Sequence, residues 1–91
     1  MRLNFPNTSR DFDSDKCRVR FWGYDQTIEV SFYVECGALK QLCPEMDNVE
    51  QGFLASFDKM LNRIHKVADK VYLNSGGGKG SYAYVLSADD F

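Results

Sequence analysis

The stretch Cys17-Arg18-Val19-Arg20-Phe21-Trp22-Gly23-Tyr24-Asp25-Gln26-Thr27-Ile28-Glu29-Val30-Ser31-Phe32-Tyr33-Val34-Glu35 decides the fold. From 17 to 22, apolar and polar residues alternate, with Cys17, Val19 and Phe21 on one side. From 27 to 35 they alternate again, with Ile28, Val30, Phe32 and Val34 sharing a side. A period of two over this length marks half-buried strands. Gly23-Tyr24-Asp25-Gln26 reads as the turn of a hairpin. A symmetric turn pairs Trp22 with Thr27, Phe21 with Ile28, Val19 with Val30 and Cys17 with Phe32. Arg20 then opposes Glu29 on the other face, with Arg18 diagonal to it. A one-residue slip would turn every apolar side chain outward, so face and charge agree on this register.

Working outward, Leu3-Asn4-Phe5-Pro6 and Arg10-Asp11-Phe12 read as short strands, and Asp13-Ser14-Asp15 as a turn. After Glu35 a short helix is expected, stopped by Pro44. Asp47 followed by Glu50 is a capping-box-like start for a second helix. At 100° per residue, Val49, Phe53, Leu54, Phe57, Met60, Leu61, Ile64, Val67, Ala68, Val71 and Tyr72 form one apolar arc about 140° wide. That helix is expected to run to Leu73 and stop at Asn74 and the glycines. Gly52 is its weak point, at about 1 kcal/mol relative to alanine. Ser81-Tyr82-Ala83-Tyr84-Val85-Leu86 reads as a closing strand.

The predicted fold is therefore α+β: a small, mostly antiparallel sheet with a central β-hairpin, packed on one long helix and closed by a final strand. Residues 1–91 make one domain at this length. A straight helix from Asn48 to Leu73 would be about 39 Å long, against about 27 Å for an eight-residue strand. Its apolar face would overhang the sheet. Either the N-terminal segment covers the excess or a second copy does, and self-association is the favoured expectation.

Composition excludes several classes. The charges are 11 Lys+Arg against 13 Asp+Glu, for a net charge of −2, and 44% of residues are hydrophobic. That apolar share is too high for disorder. The near-neutral balance does not favour an electrostatic nucleic-acid binder. No apolar run approaches the ~18 residues of a membrane helix, and Met1-Arg2-Leu3-Asn4-Phe5-Pro6 lacks a signal-peptide core. No membrane association is expected. Cys17, Cys36 and Cys43 are odd in number and form no C-x-x-C pair, and the one histidine, His65, stands far from them. A zinc site needs about four clustered N/S ligands, so no metal or other cofactor is expected. Without an export signal the expectation is a cytoplasmic protein with reduced thiols.

Several stretches are similar to one known family. They are Leu3-Asn4-Phe5-Pro6 with Ser9-Arg10, and Val19-Arg20-Phe21-Trp22-Gly23 leading into Glu29-Val30. Phe57-Asp58, Arg63-Ile64-His65, Tyr72 and Tyr84-Val85-Leu86 through Asp89-Asp90-Phe91 complete the set. The chain resembles the small bacterial proteins of domain-of-unknown-function family 1488 over nearly its whole length. The resemblance implies a complete single-domain bacterial protein; it carries no activity and no catalytic residue.

Three constellations bear on function. The glycine-rich stretch 75–81 lacks the Gly-x4-Gly-Lys-Ser/Thr order of a phosphate loop and reads as a connector. His65 has Asp69 one helical turn on and Asp58 on the same flank, but no nucleophile stands near, so no enzyme is expected. Arg18, Arg20, Trp22 and Tyr33 share the hairpin's outward face, joined by Tyr82 and Tyr84, as a candidate interaction surface. Lys59, Arg63, Lys66 and Lys70 make a basic ridge on the outer helix face. The favoured expectation is a non-enzymatic protein-interaction or accessory module, with a protein partner or a second copy bound. The alternative is a nucleic-acid-associated regulator using the ridge. Glu29 and Glu35 on the aromatic face and the net negative charge count against that alternative.

Overall fold

The computed structural model describes residues 3–6, 9–76 and 83–91. Four strands form one sheet in the order β1 (Asp11–Asp13), β2 (Arg18–Asp25), β3 (Ile28–Glu35), β4 (Ala83–Leu86). The first three are antiparallel, and β4 runs parallel to β3. Between β3 and β4 the chain forms α1 (Cys36–Leu42), α2 (Glu50–Lys59) and α3 (Leu61–Asn74). The α+β class is as predicted. Among the described residues no helix is long and apolar enough to cross a membrane.

The strand faces follow the predicted alternation. Val19 and Phe21 of β2 and Val30, Phe32 and Val34 of β3 are buried. Helical residues Leu39, Phe53, Phe57, Ile64, Ala68 and Tyr72 join them in one core. The register differs from the expected one. The turn is Gln26-Thr27, with Gln26 in the left-handed region at φ 59°, and Phe21 pairs with Phe32, Val19 with Val34 and Arg20 with Tyr33. An even offset preserves which face each side chain takes, so the apolar pattern cannot tell the two registers apart. Gly23 does not turn the chain. It lies in β2 opposite Val30, and a Cβ there would stand 2.6 Å from the Phe5 ring and 3.1 Å from the Asn4 carbonyl. Asn4 makes a single antiparallel bridge with Tyr24 at that point, in place of a strand.

Carried one step outward, the true register sets Cys17 opposite Cys36, and the two are joined in a disulfide with Cα atoms 5.5 Å apart. This corrects the expectation of three reduced thiols; only Cys43 is free. Disulfides persist in oxidising surroundings, so the bridge stands against the expectation of a reducing one.

The single long helix is also corrected. At Met60 the backbone (φ −100°, ψ 16°) leaves the helical region, and the run divides into α2 and α3. No proline or glycine marks the break. On either side of it, Phe53 stacks on Phe12 of β1 at 5.7 Å and Phe57 tilts on Phe21 of β2 at 5.2 Å, while Tyr72 meets Tyr84 of β4 edge-on at 5.8 Å. The two segments together contact the sheet from the β1 edge to the β4 edge, while Val49 at the start of the predicted arc is exposed. The predicted Asp47 cap does not form; α2 is preceded by Val49, with no side-chain cap.

Gly52 is more than a weak point. An added Cβ would overlap the Asp47 carbonyl, because the loop before α2 lies directly on the helix there. Gly52→Ala, which would stabilise a solvent-exposed helix by about 1 kcal/mol, is here expected to destabilise by about 1–2 kcal/mol through displacement of that loop. Thermal melts of the two proteins decide the sign, and a more stable variant would refute the close approach.

Candidate interaction face

The helices cover one side of the sheet. On the other, alternation presents Asp11 and Asp13 from β1, Arg18, Arg20, Trp22 and Tyr24 from β2, Glu29, Ser31, Tyr33 and Glu35 from β3, and Val85 from β4. Among the described residues no helix lies over this face. Its middle is ordered by guanidinium–ring stacks. The Arg18 guanidinium carbon stands 3.8 Å from the centre of the Tyr33 ring, and that of Arg20 stands 4.7 Å from the Trp22 ring. Arg18 Nε also donates to Asp13 Oδ2 at 3.3 Å. Arg20 donates to Ser31 Oγ at 3.1 Å and reaches Glu29 at 3.9 Å and Asp11 at 4.0 Å.

Each of these contacts is modest. A partly exposed cation–π pair is worth about 0.5–1 kcal/mol, and an exposed ion pair about as little. Their effect is on order, since two long arginines are held flat against aromatic rings before any partner arrives. That lowers the side-chain entropy lost on binding.

The structure brings together Arg18, Arg20, Trp22 and Tyr33 of the predicted surface. Tyr84 is corrected: it pairs with Phe32 on the helix side, stacking on it at 5.7 Å. A four-residue closing strand gave no sequence signal for which way it faces. Tyr82 lies outside the described residues, as does most of the glycine-rich stretch. Lys59, Arg63, Lys66 and Lys70 are all exposed, but the break at Met60 falls inside the ridge, leaving Lys59 on α2 and the other three on α3.

The residues around His65 have other partners. Its ring stacks on Phe5 at 3.9 Å, nearly parallel, and burial lowers its pKa from the ordinary 6.5. Asp58 takes a two-pronged contact from Arg10, at 3.0 and 2.9 Å. Asp69 accepts the Leu3 backbone N–H at 2.9 Å. These pairs pin the N-terminal segment to the helices. Sequence reasoning missed one buried carboxylate, Asp25, which lies at the end of β2 and accepts the Tyr72 hydroxyl at 2.6 Å. Its placement in an assumed turn concealed it.

A family model described as "Protein of unknown function (DUF1488)" matches residues 3–86. A crystal structure of a protein of unknown function from the same family, from Shewanella loihica PV-4, is similar with a TM-score of 0.76. It is 16% identical, and the alignment covers 93% of this chain and 91% of that one, which establishes a shared fold. No curated protein matches.

Proposed function

The chain belongs to the DUF1488 family of proteins of unknown function, and from the geometry above we propose that it is a non-enzymatic protein-interaction module whose open sheet face binds a second copy of itself. The supporting observation is the pair of guanidinium–aromatic stacks side by side on the uncovered face. Tryptophan, tyrosine and arginine are the residues that concentrate binding energy at protein contacts. Phosphate is a poor occupant, since Asp11, Asp13, Glu29 and Glu35 outnumber the two arginines. A protein surface carrying both signs suits the face, and a twofold copy supplies one, setting the arginines of each against the acids of the other.

Size fixes the strength. Two eight-residue central strands give a length of about 27 Å, and four strands about 4.8 Å apart give a projected area of about 400 Å². A standard interface buries about 800 Å² per partner, so this contact belongs to the weak, transient class. Sedimentation from micromolar concentration up to about 1 mM is expected to show a reversible monomer–dimer equilibrium. Trp22→Ala and Tyr33→Ala are each expected to weaken it at least about tenfold. A chain that stays monomeric throughout, or dimers indifferent to both substitutions, would sink the proposal.

A further inference from the structure

A cavity of about 540 Å³ opens between the Cys43–Asp47 loop and the α2–α3 junction, apart from the sheet face. Cys43, Met46 and Met60 line it, and all three are half-buried. Cys43 is the one unbridged cysteine of the chain, and Met46 and Met60 are two of its three methionines. The three residues line the same cavity wall. Met46 N–H donates to the Cys43 carbonyl at 3.1 Å, so the two residues bracket one tight turn at the cavity rim. The Ser56 hydroxyl lies 3.3 Å from Met46 Sδ and holds that sulfur against α2. Met60 stands one helical turn beyond Ser56, its N–H bonded to the Ser56 carbonyl at 3.0 Å.

We propose that this cavity binds a soft monovalent metal ion, Cu(I), through the Cys43 thiolate and the Met46 and Met60 thioethers. Thiolate and thioether donors are soft and select Cu(I) among biological ions. Zinc and harder ions favour histidine, thiolate clusters or carboxylates, and the described residues hold no group of three His, Cys, Asp or Glu suited to them. Binding forms three S–Cu bonds: the Cys43 thiol releases its proton to solvent and bonds as the thiolate, both thioethers donate lone pairs, and no electron is transferred. The thiolate cancels the charge of the ion, so Lys59 at the cavity wall does not oppose it. Cys43, Met46 and Met60 are half-buried rather than enclosed, which leaves a path for the ion to enter.

The test is an anaerobic Cu(I) titration of the disulfide-intact chain against a chromogenic Cu(I) chelator, with Zn(II) in parallel. One equivalent of Cu(I) is expected to bind. Cys43→Ser should weaken it about 100-fold, and Met46→Leu and Met60→Leu about tenfold each. The leucine changes conserve volume, so the fold is expected to survive them. In the unaltered protein, the diamagnetic surrogate Ag(I) should shift the methyl resonances of Met46 and Met60 and leave that of Met1 in place. Unmoved Met46 and Met60 methyls, wild-type affinity in both leucine variants, or Zn(II) bound as tightly as Cu(I) would each overturn the assignment.

Discussion

Reduction of the Cys17–Cys36 bridge is expected to destabilise the fold by about 3 kcal/mol, lowering the melting temperature by roughly 12–20 °C. The cysteines are 19 residues apart. Closing a loop of that size restricts the unfolded chain by about 3 kcal/mol on the chain-entropy account. The native state should keep its topology, because the β2–β3 ladder inside the loop holds eight register pairs of its own. The bridge also secures a demanding backbone. Cys17 sits at φ 46°, the left-handed region, and its carbonyl accepts the Cys36 N–H at 3.0 Å. Holding a non-glycine residue there costs of the order of 1 kcal/mol. Loosening is therefore expected to begin at this end of the hairpin, where Arg18 stacks on Tyr33. Differential scanning calorimetry with and without reductant measures the change. A Cys17→Ser/Cys36→Ser chain should match the reduced protein and ignore reductant, and Cys43→Ser should behave as the parent. A shift below about 3 °C on reduction would mean that the bridge does not restrict the unfolded chain as the loop argument requires.

One misplaced turn accounts for much of what the sequence concealed. Gly23 resembles a turn former, whereas its lack of a side chain serves the close approach of Phe5 and Asn4. Two residues of the true turn, Gln26 and Thr27, carry no strong turn signature. Because the offset is even, the buried set Val19, Phe21, Val30, Phe32 and Val34 was legible, and so were Arg18, Arg20, Trp22 and Tyr33 as neighbours on the outer face. The cross-strand partners were not, and the cost of that error was the disulfide. The assumed register set Cys17 against Phe32, while the observed one sets it against Cys36. The break at Met60 was illegible for a different reason. The apolar arc runs through it without interruption, and the contacts its two halves make, with Phe12 at one edge of the sheet and Tyr84 at the other, are tertiary. The facing of Tyr84 depended on which neighbour β4 joined, which is a tertiary fact.

Phe21→Ala is expected to cost about 3–5 kcal/mol, at the upper end for a single core truncation. Phe21 is 2% exposed, and its ring has four aromatic neighbours: Phe5 at 6.1 Å, Phe32 at 5.3 Å, Phe57 at 5.2 Å and His65 at 5.9 Å. Those rings come from the N-terminal segment, β3, α2 and α3, so the vacated space is bounded by four separately anchored elements and cannot collapse easily. Phe12 provides the contrast: it is half-buried and stacks on Phe53 at 5.7 Å near the β1 edge, where solvent can fill the gap. Phe12→Ala should lose clearly less. The Phe21 cavity should also hydrate His65, whose pKa burial holds below the ordinary 6.5. That pKa should rise towards 6.5 in Phe21→Ala, since the cause of its depression is removed. In the parent, a depressed histidine contributes stability above its unfolded pKa that is lost as pH falls below 6.5 through the lowered folded pKa, and the variant should show a shallower loss there. Denaturant midpoints give the first quantity and an NMR titration of His65 the second. A domain of this size is stabilised by about 5–15 kcal/mol, so removing Phe21 and the disulfide together, for about 6–8 kcal/mol, approaches its whole margin. Equal losses from Phe21→Ala and Phe12→Ala would show that the four-element cluster is not the centre of the core.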